Sequence, residues 1–193
     1  MNLAYTFWQR LQQNDSTVVL ERLEPEGGVA WRQTRSELCA EASHWMTALR
    51  ASGIGPGDRV AVSLGKSTGL VTAHLAILGA GASVVPLNPA LTARETEAVL
   101  RQAEVRLAIS HAETVSRAPE ILNAVQGPWW IVGNTDGLPA HITPLAGALA
   151  GHHPGLEPVE CRDDAVALLL FTSGTPGTPK GVRLTHHHFR ANV

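Results

Sequence analysis

Residues 59–87 read RVAVSLGKSTGLVTAHLAILGAGASVVPL, and this stretch decides the fold. Arg59–Ser63 has the length and apolar character of a strand, Thr68–Leu78 predicts a helix, and Ser83–Val85 predicts a second strand. A strand, a helix and a strand joined by short connections are typical of a parallel crossover unit. The segments VAVSL and SVVPL lack polar alternation, which indicates strands that are buried on both faces.

The same alternation continues on both sides of this unit. Upstream, Thr17–Leu23 and Val29–Arg32 predict a β-hairpin, and Ser36–Arg50 predicts a helix. Two capping boxes, Thr34 with Glu37 and Thr92 with Glu95, mark helix starts. Downstream, the pattern predicts helices over 92–103, 119–125 and 144–150 and strands over 106–110, 129–132 and 165–172. We therefore predict an α/β fold with a largely parallel sheet flanked by helices and an N-terminal β-hairpin, in which residues 1–193 form a single unit.

Composition narrows the classes of function. Hydrophobic residues make up 44% of the 193 residues and charged residues 17%, which is typical of a globular protein. The formal net charge of −2 provides no basic field for nucleic acid. The apolar run Ala165–Phe171 is too short to span a membrane, and residues 1–15 do not resemble a signal peptide. Cys39 and Cys161 fit no metal or redox spacing, so we expect a reduced, cytoplasmic setting.

The segment that carries chemistry is FTSGTPGTPKGV, residues 171–182. Here a buried strand runs into a loop rich in glycine, serine and threonine. Glycines let the backbone approach a bulky anion, and consecutive N–H groups can form an anion-binding nest. Lys180 adds a compact positive charge. The loop therefore suits the phosphates of a nucleotide at the carboxyl end of a parallel strand.

The loop differs from a Walker loop. That motif needs glycine directly before the lysine and serine or threonine directly after it. Here Pro179 precedes Lys180 and Gly181 follows it, and Val182–Thr185 predicts a strand where a Walker loop has a helix. The segment is therefore not a Walker loop.

The segment TSGTPGTPKGV resembles the signature phosphate loop of the adenylate-forming, or AMP-binding, enzyme superfamily. GVAWRQTRSEL, GIGPGDRVAVSL and HLAILGAGASVVPLNPALTARE are similar to earlier segments of the same superfamily, and THHHFRANV to its step after the loop. The resemblance covers most of the chain. It points to the N-terminal part of an acyl-CoA synthetase or fatty-acid-CoA ligase-like protein, and hence to fatty acid metabolism.

The resemblance implies a function and a set of site residues. Family members use ATP, with Mg²⁺, to convert a carboxylic acid into an acyl adenylate, which then passes to a thiol such as that of coenzyme A. The residues implied to hold the ATP phosphates are Thr172, Ser173, Gly174, Thr175, Gly177, Thr178 and Lys180. No residue of this chain matches a catalytic role or an Mg²⁺ ligand of the family.

Two departures from the family pattern affect these expectations. Pro176 stands where the family usually has threonine or serine, so the loop loses an N–H and a hydroxyl that could donate to phosphate. The chain also ends at Val193, before the family's metal-binding glutamate, ribose-binding aspartate and C-terminal lysine domain. We therefore expect a truncated domain, inactive alone, that self-associates through its truncated face. The alternative is a natural truncation that acts as a non-catalytic nucleotide-binding or protein-interaction module.

The remaining candidate sites have simpler interpretations. His186, His187 and His188 point in different directions if they lie on a helix, which argues against a zinc site and favours solvated histidines at a helix start. Asp163 and Asp164 precede a strand and fit a charged turn better than an acid/base pair. We therefore predict no metal site in this chain.

Overall fold

The computed structural model describes residues 3–11, 16–139, 142–155, 157–172 and 179–191. The helices are α1 (Leu3–Leu11), α2 (Arg35–Ala51), α3 (Thr68–Gly79), α4 (Ala93–Gln102), α5 (Ala112–Arg117), α6 (Leu145–Leu149) and α7 (His186–Arg190), with a 3₁₀ helix at Pro119–Ala124. The strands are β1 (Val18–Leu23), β2 (Val29–Thr34), β3 (Arg59–Ser63), β4 (Ser83–Pro86), β5 (Leu107–His111), β6 (Trp129–Val132), β7 (Ile142–Pro144), β8 (Val166–Thr172) and β9 (Lys180–Thr185).

The strands form two sheets. β1 and β2 are an antiparallel hairpin, and the other seven lie in the order β7-β6-β5-β3-β4-β8-β9. Neighbouring strands from β7 to β8 run parallel, and only the pair β8–β9 is antiparallel. The prediction of a mostly parallel sheet flanked by helices, with an N-terminal hairpin, is confirmed.

Helices cover both faces of the large sheet. On the first face, α2 and α3 pack on alternate residues of the central strands, such as Val62 and Ile109. On the second face, α4, α5 and the 3₁₀ helix pack on the intervening residues, such as Ala61 and Ala108. Adjacent residues Trp129 and Trp130 are both buried, one in each core, because successive side chains on a strand point to opposite faces.

The order of the strands reverses between β3 and β5. After β3 it crosses to β4 through α3 on the first face, whereas after β4 it crosses back to β5 through α4 on the second face. β3 and β5 are neighbours in the sheet, and the segments that leave their carboxyl ends lead to helices on opposite faces. Such a switch point opens a crevice at the carboxyl edge, where open α/β sheets bind ligands.

Local signals explain where two helices begin. The capping boxes Thr34–Glu37 and Thr92–Glu95 are both present, and in each the threonine side chain accepts from the backbone N–H of the glutamate. In return, each glutamate carboxylate accepts from the backbone N–H and the hydroxyl of the threonine, and these two bonds lower the pKa of the Glu37 and Glu95 carboxyls. Both predicted boxes are therefore confirmed.

Some elements differ from the predictions. Helices α1 and α5 and strand β7 are short and were not predicted. Trp8 anchors α1, because its side chain is 2% exposed and packs in the core with α2 and α3. The segment predicted as a helix over 119–125 is a 3₁₀ helix. β8 was expected to be buried on both faces, yet most of its residues are only half-buried. The helices that cover the central strands leave β8 partly open because it lies next to the sheet edge.

Within the described ranges, no helix has both the length and the apolar sequence that a membrane span requires.

Candidate functional site

The predicted phosphate loop lies between β8 and β9. These strands pair along Val166–Thr172 and Lys180–Thr185, and the last pair joins Thr172 to Lys180. β8 runs parallel to β4, so the connection that follows Thr172 leaves the sheet at its carboxyl edge. The structure thus places Thr172 and Lys180 opposite each other at the base of the loop. The other predicted site residues, Ser173, Gly174, Thr175, Gly177 and Thr178, lie outside the described residues, as does Pro176.

The two described site residues are accessible. Thr172 and Lys180 are both exposed. The Lys180 ammonium forms no ion pair or hydrogen bond with the part of the chain that the structure describes, so it can bind an anion without breaking an internal contact.

Strand β8 is held in the sheet from one side by β4. The hydroxyl of the buried Ser83 donates to the carbonyl of Val166 over 2.7 Å, and Val84 pairs with Leu168. On the other side, the Phe171 ring lies against Gly181, where a Cβ would stand 3.2 Å from its Cζ atom. Because residue 181 is glycine, the Phe171 ring can lie over the β8–β9 pair, next to the base of the loop. Both features orient the base of the loop.

Helix α7 begins directly after β9, and its first turn is bonded to the segment before β8. The N–H of His186 donates to Ala165 O over 3.1 Å and that of His187 to Asp163 O over 2.9 Å. Arg190 forms an ion pair with Asp163. These contacts connect the far ends of β8 and β9 and fix the strand pair that carries the loop.

The sequence suggested that all three histidines at the start of α7 are solvated, but one of them is buried. His187 and His188 are exposed, and the ring of His188 completes a capping box with Thr185. His186, in contrast, is only 1% exposed. Burial lowers the pKa of its imidazole. No group of three metal-ligating side chains occurs among the described residues.

The arrangement suits the phosphates of ATP. An unpaired lysine at the carboxyl edge of a parallel strand, opposite a threonine, offers a positive charge and a hydroxyl donor. The described residues supply no carboxylate cluster for Mg²⁺.

Comparison with known proteins shows the family to which the chain belongs. The sequence model of the AMP-binding enzyme family matches residues 7–193. A 3-hydroxybenzoate–CoA/4-hydroxybenzoate–CoA ligase of Thauera aromatica is 36% identical over 154 residues, which are 79% of this chain and 29% of the ligase.

Two solved structures are similar over almost the whole chain. An acyl-CoA synthetase of Brucella canis has a TM-score of 0.85 at 22% identity, over 99% of this chain and 34% of the synthetase. ATP-bound MatB of Rhodopseudomonas palustris has a TM-score of 0.78 at 28% identity, over 100% of this chain and 36% of MatB. The chain thus spans about a third of the length of these relatives.

Proposed function

Because the chain belongs to the AMP-binding enzyme family, we propose that it is the phosphate-binding part of an ATP-dependent, carboxylate-activating ligase. In the proposed reaction a carboxylate oxygen attacks the α-phosphorus of ATP and pyrophosphate leaves. The acyl group of the resulting adenylate then passes to a thiol. Similarity to a CoA ligase that is 36% identical favours coenzyme A as the acceptor.

The observation that carries the proposal is the pair Thr172–Lys180 at the carboxyl edge. In the proposed site both residues hold the β- and γ-phosphates of ATP, together with Ser173, Gly174, Thr175, Gly177 and Thr178. Mg²⁺, when bound to the nucleotide, would neutralise charge as pyrophosphate departs. The role of this chain's residues is to hold and orient the triphosphate, because a preorganised donor set costs no reorganisation during reaction.

The proposed setting is the cytoplasm. Neither Cys39 nor Cys161 is in a disulfide, and Cys161 is buried. Burial raises the pKa of both thiols, which keeps them protonated and unreactive. Two structural thiols of this kind are compatible with a reducing compartment.

Titration calorimetry of Mg²⁺-ATP into the purified chain tests the proposal. Replacing Lys180 by alanine should weaken binding by about 10–100-fold, since a hydrogen bond to a charged group contributes about 1.5–3 kcal/mol. Arg183→Ala is the matched control, because Arg183 is exposed on the same strand and its loss changes the net charge equally.

The outcomes separate a specific site from a general charge effect. Weaker binding by Lys180→Ala alone supports the proposed site. Equal weakening by both variants would assign binding to net charge, and an absence of ATP binding by the unmodified chain would refute the assignment of the phosphate site to these residues.

A further inference from the structure

The half of β8 that leads into the predicted phosphate loop extends beyond the links between β8 and β4. β4 pairs with β8 at Val84 and Leu168, and the Ser83 hydroxyl donates to the Val166 carbonyl, so both links lie in the first three residues of β8. In the described chain, the strand partner of residues 169–172 is β9, an outer strand of the sheet. The base of the loop is therefore a two-stranded ribbon, and such ribbons are only marginally stable by themselves.

Phe171 connects this β8–β9 ribbon, residues 169–172 and 180–183, to the core. Its half-buried side chain packs, together with Leu169, against the core on the second face of the sheet. Its cross-strand partner is Gly181, and a Cβ built there would lie 3.2 Å from Cζ and 3.3 Å from Cε1 of the Phe171 ring. The ring therefore lies over the main chain of the glycine, an arrangement by which aromatic side chains stabilise glycines in edge strands.

Space, rather than backbone conformation, explains the glycine at position 181. Gly181 does not adopt a positive φ, so other residues could take its main-chain conformation. If β9 slipped by one residue, Lys180 or Val182 would lie opposite Phe171, and either side chain would displace the ring. The observed register is therefore favoured, because it places the residue without a side chain beneath the ring.

The register also decides whether the two described residues of the proposed phosphate site lie opposite each other. Thr172 and Lys180 form the cross-strand pair next to Phe171 and Gly181. Because successive side chains on a strand point to opposite faces, a slip of one residue would put the Thr172 hydroxyl and the Lys180 ammonium on different faces of the ribbon. One phosphate chain could then not contact both groups from the same side.

We infer that Phe171 is a positioning residue for the proposed phosphate site. The ring acts through Gly181 rather than on the nucleotide: it fixes the register of β9 and so keeps Lys180 opposite Thr172. This role rests on the proposed function, because the proposed function assigns Lys180 and Thr172 to the phosphates. The register itself can be measured without a nucleotide.

Amide hydrogen exchange, followed by nuclear magnetic resonance on the ¹⁵N-labelled chain without nucleotide, measures how readily the ribbon opens. Phe171→Leu keeps an apolar side chain but loses the flat ring. It should lower the protection of the ladder amides in residues 169–171 and 181–183 by about threefold to fivefold, the effect of losing a good cross-strand pair. Phe171→Tyr keeps the ring and should stay within about 1.5-fold of the unmodified chain.

Leu138→Ala is the matched control. Leu138 is half-buried against the same core as Phe171, but it lies between β6 and β7, at the other end of the sheet. This variant also loses apolar contact with the core. It should leave the protection of the ribbon amides unchanged, because a marginal ribbon opens locally and not through unfolding of the whole sheet.

A double-mutant cycle tests the contact between the ring and the glycine. Alanine at position 181 meets the Phe171 ring in the unmodified chain, whereas the ring is absent in Phe171→Leu. The effect of Gly181→Ala on ribbon protection should therefore be at least about threefold less favourable in the unmodified chain than in Phe171→Leu. Comparing the two backgrounds cancels the intrinsic strand preference of alanine.

Titration calorimetry with Mg²⁺-ATP then tests the positioning role. Phe171→Leu should weaken ATP binding by about threefold to fivefold, in step with the loss of protection, and Phe171→Tyr should bind as the unmodified chain does. An unchanged ATP affinity in Phe171→Leu, despite lower protection, would mean that Phe171 only stabilises the ribbon, and it would overturn the inference.

Unchanged ribbon protection in Phe171→Leu, or an equal effect of Gly181→Ala in both backgrounds, would also overturn the inference, because the ring would then not fix the register. Absence of ATP binding by the unmodified chain would refute the proposed phosphate site instead. In that case, loss of protection in Phe171→Leu would still support a register that is fixed by the ring, and unchanged protection would refute it.

Discussion

Gly127 lies where β6 enters the sheet beside β5, and it tolerates no side chain. A Cβ atom built on Gly127 would lie 1.8 Å from the carbonyl oxygen of Arg106, whereas real Cβ atoms essentially never approach other atoms within 3.0 Å. The neighbouring main chain has little freedom to move. Arg106 N–H donates to Arg59 O over 2.9 Å, and Ala108 N–H donates to Pro128 O over 3.2 Å.

The Gly127→Ala substitution should therefore destabilise the protein by about 3 kcal/mol. Overpacking against a fixed main chain costs up to about 3 kcal/mol. The hydrogen bond between Ala108 and Pro128 is worth about 1 kcal/mol and would be lost as the strands separate. Alanine returns up to about 1 kcal/mol by restricting the unfolded chain. For a chain of this length the midpoint of thermal unfolding should fall by about 6–12 °C.

Thermal unfolding followed by far-ultraviolet circular dichroism, supported by urea unfolding, measures this effect. Gly147→Ala is the control, because Gly147 is exposed in helix α6 and nothing lies within 4 Å of its added Cβ. Alanine there should stabilise the helix by about 0.5–1 kcal/mol. A Gly127→Ala midpoint within about 2 °C of the unmodified protein would refute the reasoning, since it would mean that the entry of β6 moves at almost no cost.

Three further predictions concern the loop, a buried histidine and the sheet edge. Pro176→Thr should tighten ATP binding about tenfold in calorimetry, because it restores an N–H and a hydroxyl; equal or weaker binding would show that position 176 does not face phosphate. Burial lowers the pKa of His186, so its effect on the free energy of unfolding should be constant above pH 6.5, and that free energy should decrease as the pH falls below 6.5. Urea unfolding between pH 8 and pH 5 should show a smaller decrease for His186→Gln than for the unmodified chain. An equal decrease for both proteins would contradict this prediction. β9 is one of the two outer strands of the described sheet, and Val182 on it is 44% exposed, so light scattering should detect self-association that Val182→Lys reduces; a monodisperse monomer would contradict this prediction.

The predictions from sequence succeeded where a local signal was strong. The apolar segments Arg59–Ser63 and Trp129–Val132 are strands with the predicted bounds, because an apolar run of strand length between turns has few other solutions. Thr34 and Thr92 cap α2 and α4 as predicted, because a capping box depends on residues that are only three positions apart. Short elements such as β7 were missed, because three residues carry too little periodic signal.

The candidate site divides in the same way. The order of residues in 171–182 was sufficient to indicate a phosphate loop, since its glycines, hydroxyls and lysine are contiguous. The position of this segment in the fold could not be predicted from the sequence. Only the pairing of Thr172 with Lys180 shows that the segment connects an antiparallel strand pair at the carboxyl edge of the sheet. The burial of His186 beside two exposed histidines was equally inaccessible, because it depends on the segment before β8.

The sequence by itself therefore determined the α/β class and the starts of α2 and α4, and it supplied the prediction of the phosphate-loop residues, because each depends on residues close together along the chain. The tertiary structure alone decided the strand order β7-β6-β5-β3-β4-β8-β9 and the crossing of β3 and β5 to opposite faces. That order brings Ser63, Thr96, Ser110 and Trp129 around one cavity, although the first and the last of them lie 66 positions apart in the sequence (63 and 129). No local pattern encodes such a meeting, because it arises only when the parallel strands pair and the helices close over them.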